Sequence, residues 1–133
     1  MNAIGIARSG LDAAMMRLTA SASNIANAQS TGPVPGSTAD TGDARVYRPV
    51  RTQASALADG GVSAQMVRAD PGYRLTYDPA SLQADARGMV AAPDVDVTDE
   101  LVETLTAKLA FEANLKVIGT ASELERRTTE LWG

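Results

Sequence analysis

The chain has 133 residues, a formal charge of −4, 44% apolar residues, and neither cysteine nor histidine. Those two absences exclude zinc thiolate sites, thiol nucleophiles and imidazole acid/base chemistry, and acids and bases interspersed without a long basic run exclude a footprint for nucleic acid or anionic lipid. Alanine supplies much of the apolar content and the aromatics stop at Phe111, Trp132, Tyr47, Tyr73 and Tyr77, so at about 25 cal/mol per Å² of buried apolar surface the isolated chain is expected to be marginally stable.

The first segment, Asn2 to Ala28, repeats Ile4, Leu11, Leu18 and Ile25 every seven residues, with Ala7, Ala14, Ser21 and Ala28 between them. That register makes a narrow seam along a helix roughly 40 Å long, and its small members let another helix approach closely. Arg8, Asp12 and Arg17 interrupt the apolar run, so the segment reads as an amphipathic helix and not as a cleaved signal or a membrane span. Gly5 and Gly10 each cost up to about 1 kcal/mol relative to alanine, so the helix is expected to need packing. Gly32-Pro33 is expected to stop it or its frayed extension. Asn24 and Asn27 lie beside the seam; they either fix which neighbour and register are accepted or cap a fraying end, and periodicity does not decide between these.

From Pro33 to Gly61 the composition shifts to Gly, Pro, Ser, Thr and Asp, the signature of an irregular, flexible connection. Within and after it, Arg45-Val46-Tyr47-Arg48 is β-prone, Asp59-Gly60-Gly61 signals a turn before alternating Val62, Ala64 and Met66, and Tyr73, Leu75 and Tyr77 alternate between Pro71-Gly72 and Asp78-Pro79. Arginines 45, 48, 51, 68 and 74 interleave with these tyrosines; alternation and overall acidity favour a solvated strand face over a stacking platform for single strands. Asp40-Thr41-Gly42 matches the aspartic-protease tripeptide but sits in a polar loop without apolar strands, which marks a chance match. Gly88 to Pro93 leads towards the second helix.

The apolar pattern of that helix runs from Leu101 to Trp132, and its start is marked by Asp96 or Thr98 as cap and by Asp99 and Glu100 in the first turn, where the dipole favours negative charge. The acidic run from Asp94 to Glu100 fails as a calcium loop, because no glycine stands at the sixth position and Leu105 replaces the bidentate glutamate. Leu101, Leu105, Leu109, Phe111, Leu115, Ile118, Leu124 and Leu131 spread around more of the circumference than one partner helix covers. Asn114 raises the question of Asn24 again, and Lys108, Glu112 and Lys116 form a ladder suited to a wet face.

The expected fold is mainly α with a small β insertion. Residues 1–32 and 94–133 form long terminal helices in an antiparallel-type coiled-coil pair, and 33–93 form a short β-rich or irregular middle. Apolar stripes exceeding what the chain can cover point to assembly, with no catalytic residue, metal or cofactor. The residues expected to carry it are Ile4, Leu11, Leu18, Asn24, Ile25, Asn27, Leu105, Phe111, Asn114, Leu115 and Ile118.

Several elements fit one family. Ser9-Gly10-Leu11, Arg17-Leu18, Ser23-Asn24-Ile25-Ala26-Asn27-Ala28 and Ser30-Thr31-Gly32 resemble the amino-terminal signature of bacterial flagellar rod and hook proteins. Gly88-Met89-Val90, Pro93-Asp94-Val95-Asp96-Val97, Glu100-Leu101-Val102 and Phe111-Glu112-Ala113-Asn114-Leu115 narrow the resemblance to proximal rod subunits of the FlgC type, with weaker similarity at Tyr47-Arg48-Pro49-Val50 and Tyr77-Asp78-Pro79. Ala110-Phe111-Glu112 and the charged Glu125-Arg126-Arg127 depart from the family pattern. The resemblance implies a structural subunit exported without a cleaved signal peptide through the flagellar type III apparatus, polymerising in the periplasm with copies of itself and other rod subunits, and neighbouring the membrane-embedded MS ring and rod-adapter proteins. Its paired helices would line the tube around the export channel, its middle would lie outside, and the whole would transmit torque. Its ends are expected to stay largely disordered before assembly. Competing readings are a cytosolic helical chaperone or adaptor of a secretion system and, more distantly, a wall-cleaving glycosidase using Asp94 and Glu100.

Overall fold

The computed structural model describes residues 2–42 and 45–132. Asp43 and Ala44 of the expected polar connection, and Met1 and Gly133 at the limits of the expected terminal blocks, lie outside the described residues. Helix α1 spans Ala3–Asn27, and Asn2 caps it by accepting the Gly5 N–H at 2.8 Å. It ends where the seam does: Ala28 is the C-cap, and its N–H reaches back to the Ile25 carbonyl.

Gly32 has a different task. Its N–H and C=O each bond Ala91 at 2.9 Å, and a β-carbon there would meet the Val46 backbone nitrogen at 2.7 Å. Glycine is required because two backbones converge on it.

Strands β1 (Val50–Ala56) and β2 (Val62–Arg68) form an antiparallel hairpin with Val50 opposite Arg68 and Ala56 opposite Val62. The turn falls at the expected Asp59-Gly60-Gly61, where both glycines take positive φ (89° and 90°), a region that disfavours residues with a β-carbon. Two sequence expectations need correction here. Arg45-Val46-Tyr47-Arg48 is not a strand; its side chains are drawn into contacts on both flanks, and the strand starts at Val50. The supposedly flexible stretch to Gly61 thus contains all of β1.

Strand β3 (Tyr73–Tyr77) pairs antiparallel with β4 (Met89–Pro93), Tyr73 opposite Pro93. The lead-in Gly88 to Pro93 is therefore also a strand, and Val90, Ala91, Ala92 and Pro93 are buried. Flanked by β3 and Gly32, β4 has no alternating polar face, so its run of small apolar residues carries no period-two signal.

Helix α2 spans Val97–Trp132, with Asp99 and Glu100 in its first turn. Asp96 caps it, its Oδ1 accepting the N–H of Thr98 at 2.8 Å and of Asp99 at 3.2 Å. The helices run antiparallel: Asn24 near the end of α1 bonds Glu100 near the start of α2, and Gly10 faces Asn114. Small residues make this approach possible, since Ala7, Ala14, Ala20 and Ser21 are buried on α1 and Ala107 on α2. The larger seam residues Ile4, Leu11, Leu18 and Ile25 are half-buried.

The hairpin lies against α1 as well, so that helix is held on two sides. The Ser9 hydroxyl accepts the Val62 N–H at 3.1 Å, and Asn24 bonds Val50 about four turns further along. Extending the Gly10–Asn114 and Asn24–Glu100 register, α1 runs out opposite Ala121. The last eleven or so residues of α2, roughly 16 Å, project beyond it.

Candidate assembly surfaces

Asn24 is the most constrained polar residue, with 1% of its surface exposed. Its Nδ2 donates to the Val50 carbonyl at 2.8 Å and to Glu100 Oε1 at 2.7 Å; its Oδ1 accepts from Val50 N–H and from Tyr47 Oη, both at 2.9 Å. The amide therefore pairs with both main-chain groups of Val50, as a neighbouring strand would, and ties α1, β1 and α2 together. Tyr47 also bonds the Ser23 hydroxyl at 2.9 Å. Asparagine suits this position because all its donors and acceptors find partners, which a buried amide needs.

Asn27, half-buried, donates to the Ser23 carbonyl at 2.8 Å, and its own carbonyl accepts from Ser30 Oγ. Asn114 donates to the Ala110 carbonyl at 2.8 Å while facing Gly10. About two turns before Asn24, Arg17 makes two hydrogen bonds to Glu103, which hold the guanidinium pKa above its ordinary value. Glu100 and Glu103 are both engaged, by Asn24 and Arg17, around a cleft of about 300 Å³ also lined by Arg51 and Asp99. Each of these two carboxylates thus has a side-chain partner within its own chain.

The sequence-selected residues thus divide. Asn24 is buried, and Phe111, Asn114 and Ile118 are half-buried on the face of α2 that carries Ala107; Leu115 (47% exposed) lies at the margin of that face and Leu105 (62%) on the opposite side. Leu105 continues into a ridge with Leu101, Val102 and Leu109, all exposed. Leu101 and Leu109 escaped selection although their spacing of four from Leu105 was the available signal. Tyr47 and Glu100 were missed as partners of Asn24, and no local pattern identifies them.

Beyond Ala121, α2 carries Leu124, Leu131 and Trp132 exposed, beside an ion network of Glu123 with Arg126 and Arg127 and of Arg126 with Glu130. The guanidinium of Arg126, then that of Arg127, lowers the Glu123 pKa. Exposed aliphatic ridges of this length on a helix mark surfaces for other chains. Among the described residues no helix is long and apolar enough to cross a membrane, and no group of three or more acidic side chains could hold a metal ion.

Comparison with known proteins is consistent along the whole chain. A family model described as the flagellar basal body rod FlgEFG protein C-terminal region matches residues 86–131. The flagellar basal-body rod protein FlgC of Yersinia enterocolitica is 38% identical over 98% of this chain and 96% of its own length. The proteins of the same name from Aquifex aeolicus and Salmonella typhimurium are 34% and 36% identical, with the same two coverages.

Proposed function

The chain belongs to the family of flagellar basal-body rod proteins FlgC, and from that premise we propose that it forms the proximal part of the drive shaft, transmitting torque and surrounding the export channel. It is a structural subunit of the bacterial flagellar basal-body rod, and its partners include other rod components. The comparisons give a cytosolic chaperone or adaptor no support.

The observation that carries the proposal is the outward ridge of Leu101, Leu105 and Leu109, at 52%, 62% and 66% exposure, together with the overhang ending at Trp132. The opposite face of α2 is already filled by α1, so this second face is the one left for neighbours. In this arrangement residues 1–32 and 94–133 form the rod core and 33–93 the outer part. The half-buried seam of Ile4, Leu11, Leu18 and Ile25 contributes at its margins.

The finer reading extends to chemistry, location and partners. The subunit catalyses nothing, works in the periplasmic rod, reaches it by type III export without a cleaved signal peptide, and adjoins copies of itself, the MS ring and the rod adapter. Substituting Leu105→Glu with Leu109→Glu tests the ridge. Both positions are exposed, so monomer stability should change by no more than about 0.5 kcal/mol, while incorporation into isolated basal bodies and swimming should be lost. Normal swimming with normal incorporation would contradict the role given to this face.

A further inference from the structure

A groove of about 1110 Å³ lies between the 30–42 loop and the corner joining β2 to β3, walled by Arg45, Arg48 and Arg68. Its own carboxylates are already engaged. Asp40 accepts the N–H groups of Gly36 and Gly42 at 3.0 and 3.1 Å, which lower its pKa, and Asp70 receives Arg48 at 3.0 Å while Arg48 also holds the Ala69 carbonyl. Arg45 is drawn electrostatically to Asp40, and among the described residues Arg68 has no ion-pair partner, so three arginines face two carboxylates and the wall keeps a surplus positive charge on a chain whose formal charge is −4.

The complementary surface lies at the start of α2. Asp94, Asp96 and Asp99 are exposed within six residues, and among the described residues none pairs with an arginine of its own chain. Asp96 is occupied as the cap, which leaves Asp94 and Asp99 available.

We propose that the arginine-walled groove of one copy receives the acidic start of α2 from a second copy. The contact joins two different patches, so it is head-to-tail and propagates, as a rod requires and a two-fold dimer does not. Opposite charge sets which neighbour is accepted and in what register, while the apolar ridge supplies burial. This inference rests on the rod-subunit reading and names one partner surface within it.

The test is a charge exchange scored by incorporation into isolated basal bodies. One variant carries Arg45→Glu and Arg68→Glu, the other Asp94→Arg and Asp99→Arg. Either alone sets like charges against each other at every contact, and incorporation should fall by about tenfold or more. Expressed together in one cell they should assemble, because the acidic groove of the first meets the basic helix start of the second and the basic groove of the second meets the acidic start of the first. An interaction within one chain would not be rescued this way.

Wild-type incorporation by either variant alone overturns the proposal, and so does failure of the mixture. Should the reversed chains melt far below the parent, Arg45→Gln with Arg68→Gln replaces the first. Its incorporation should fall several-fold, and parental incorporation overturns the idea. Absence of the unaltered chain from basal bodies would instead overturn the rod reading itself.

Discussion

The side chain of Asn114 lies over the bare α-carbon of Gly10: a β-carbon built there would stand 2.6 Å from Oδ1 and 2.8 Å from Nδ2. A glycine that weakens α1 in isolation therefore sets how closely α2 approaches it.

Gly10→Ala separates these two effects. Helix propensity alone would add up to about 1 kcal/mol, but overpacking against Asn114 costs about 1–3 kcal/mol, so the net change should lower the thermal midpoint. Adding Asn114→Ala should recover it. At Gly119 on α2 a β-carbon would meet nothing within 4 Å, and Gly119→Ala should raise the midpoint, giving the opposite sign from the same substitution.

Removing the Asn24 amide leaves Val50 and Glu100 without their partners in a buried setting. With about 1–3 kcal/mol lost for each abandoned group, Asn24→Ala should cost about 3 kcal/mol or more in denaturant unfolding. Tyr47→Phe deletes only the hydroxyl and should cost about 1 kcal/mol. Equal losses from both would mean the network is not centred on Asn24.

Arg17 and Glu103 retain 31% and 40% side-chain exposure, so solvent screens their attraction. A double-mutant cycle with Arg17→Ala and Glu103→Ala should give a coupling of about 0.5–1 kcal/mol that shrinks in high salt.

Asp85 holds the turn before β4. Its carboxylate accepts the N–H of Met89 and then of Arg87, and also meets the Arg87 guanidinium, all of which depress its pKa below the ordinary 3.8. A carboxylate depressed on folding contributes stability that is fully present above its unfolded pKa and is lost as pH falls through the folded value. The stability gap between the parent and Asp85→Ala should therefore be constant above pH 3.8 and close below it, as followed by unfolding at a series of pH values.

The parts legible in the sequence were those with a local cause. Heptads mark α1, apolar residues at helical spacing with the Asp96 cap mark α2, and Asp59-Gly60-Gly61 marks the hairpin turn because only the local backbone geometry decides it. Strand β4 was illegible because burial on both faces erases alternation, and Arg45 to Arg48 misled because strand propensity yields to side-chain bonds from Tyr47 and Arg48 to distant partners. The seven-residue repeat of the seam was visible in the sequence, but not that Ala7, Ala14 and Ser21 would be buried while its isoleucines and leucines stay half-open. The Asn24 network spans residues far apart in sequence, so its closure is a property of the fold alone.

A reconstruction of basal bodies isolated from cells whose rod contains this chain tests the central claim most directly. The Leu101–Leu105–Leu109 ridge and the α2 overhang should be covered by neighbouring subunits, with α1 and α2 paired as here. Finding the chain in the rod with that ridge facing open solvent, or α1 paired with another molecule's α2 in place of its own, would contradict the account.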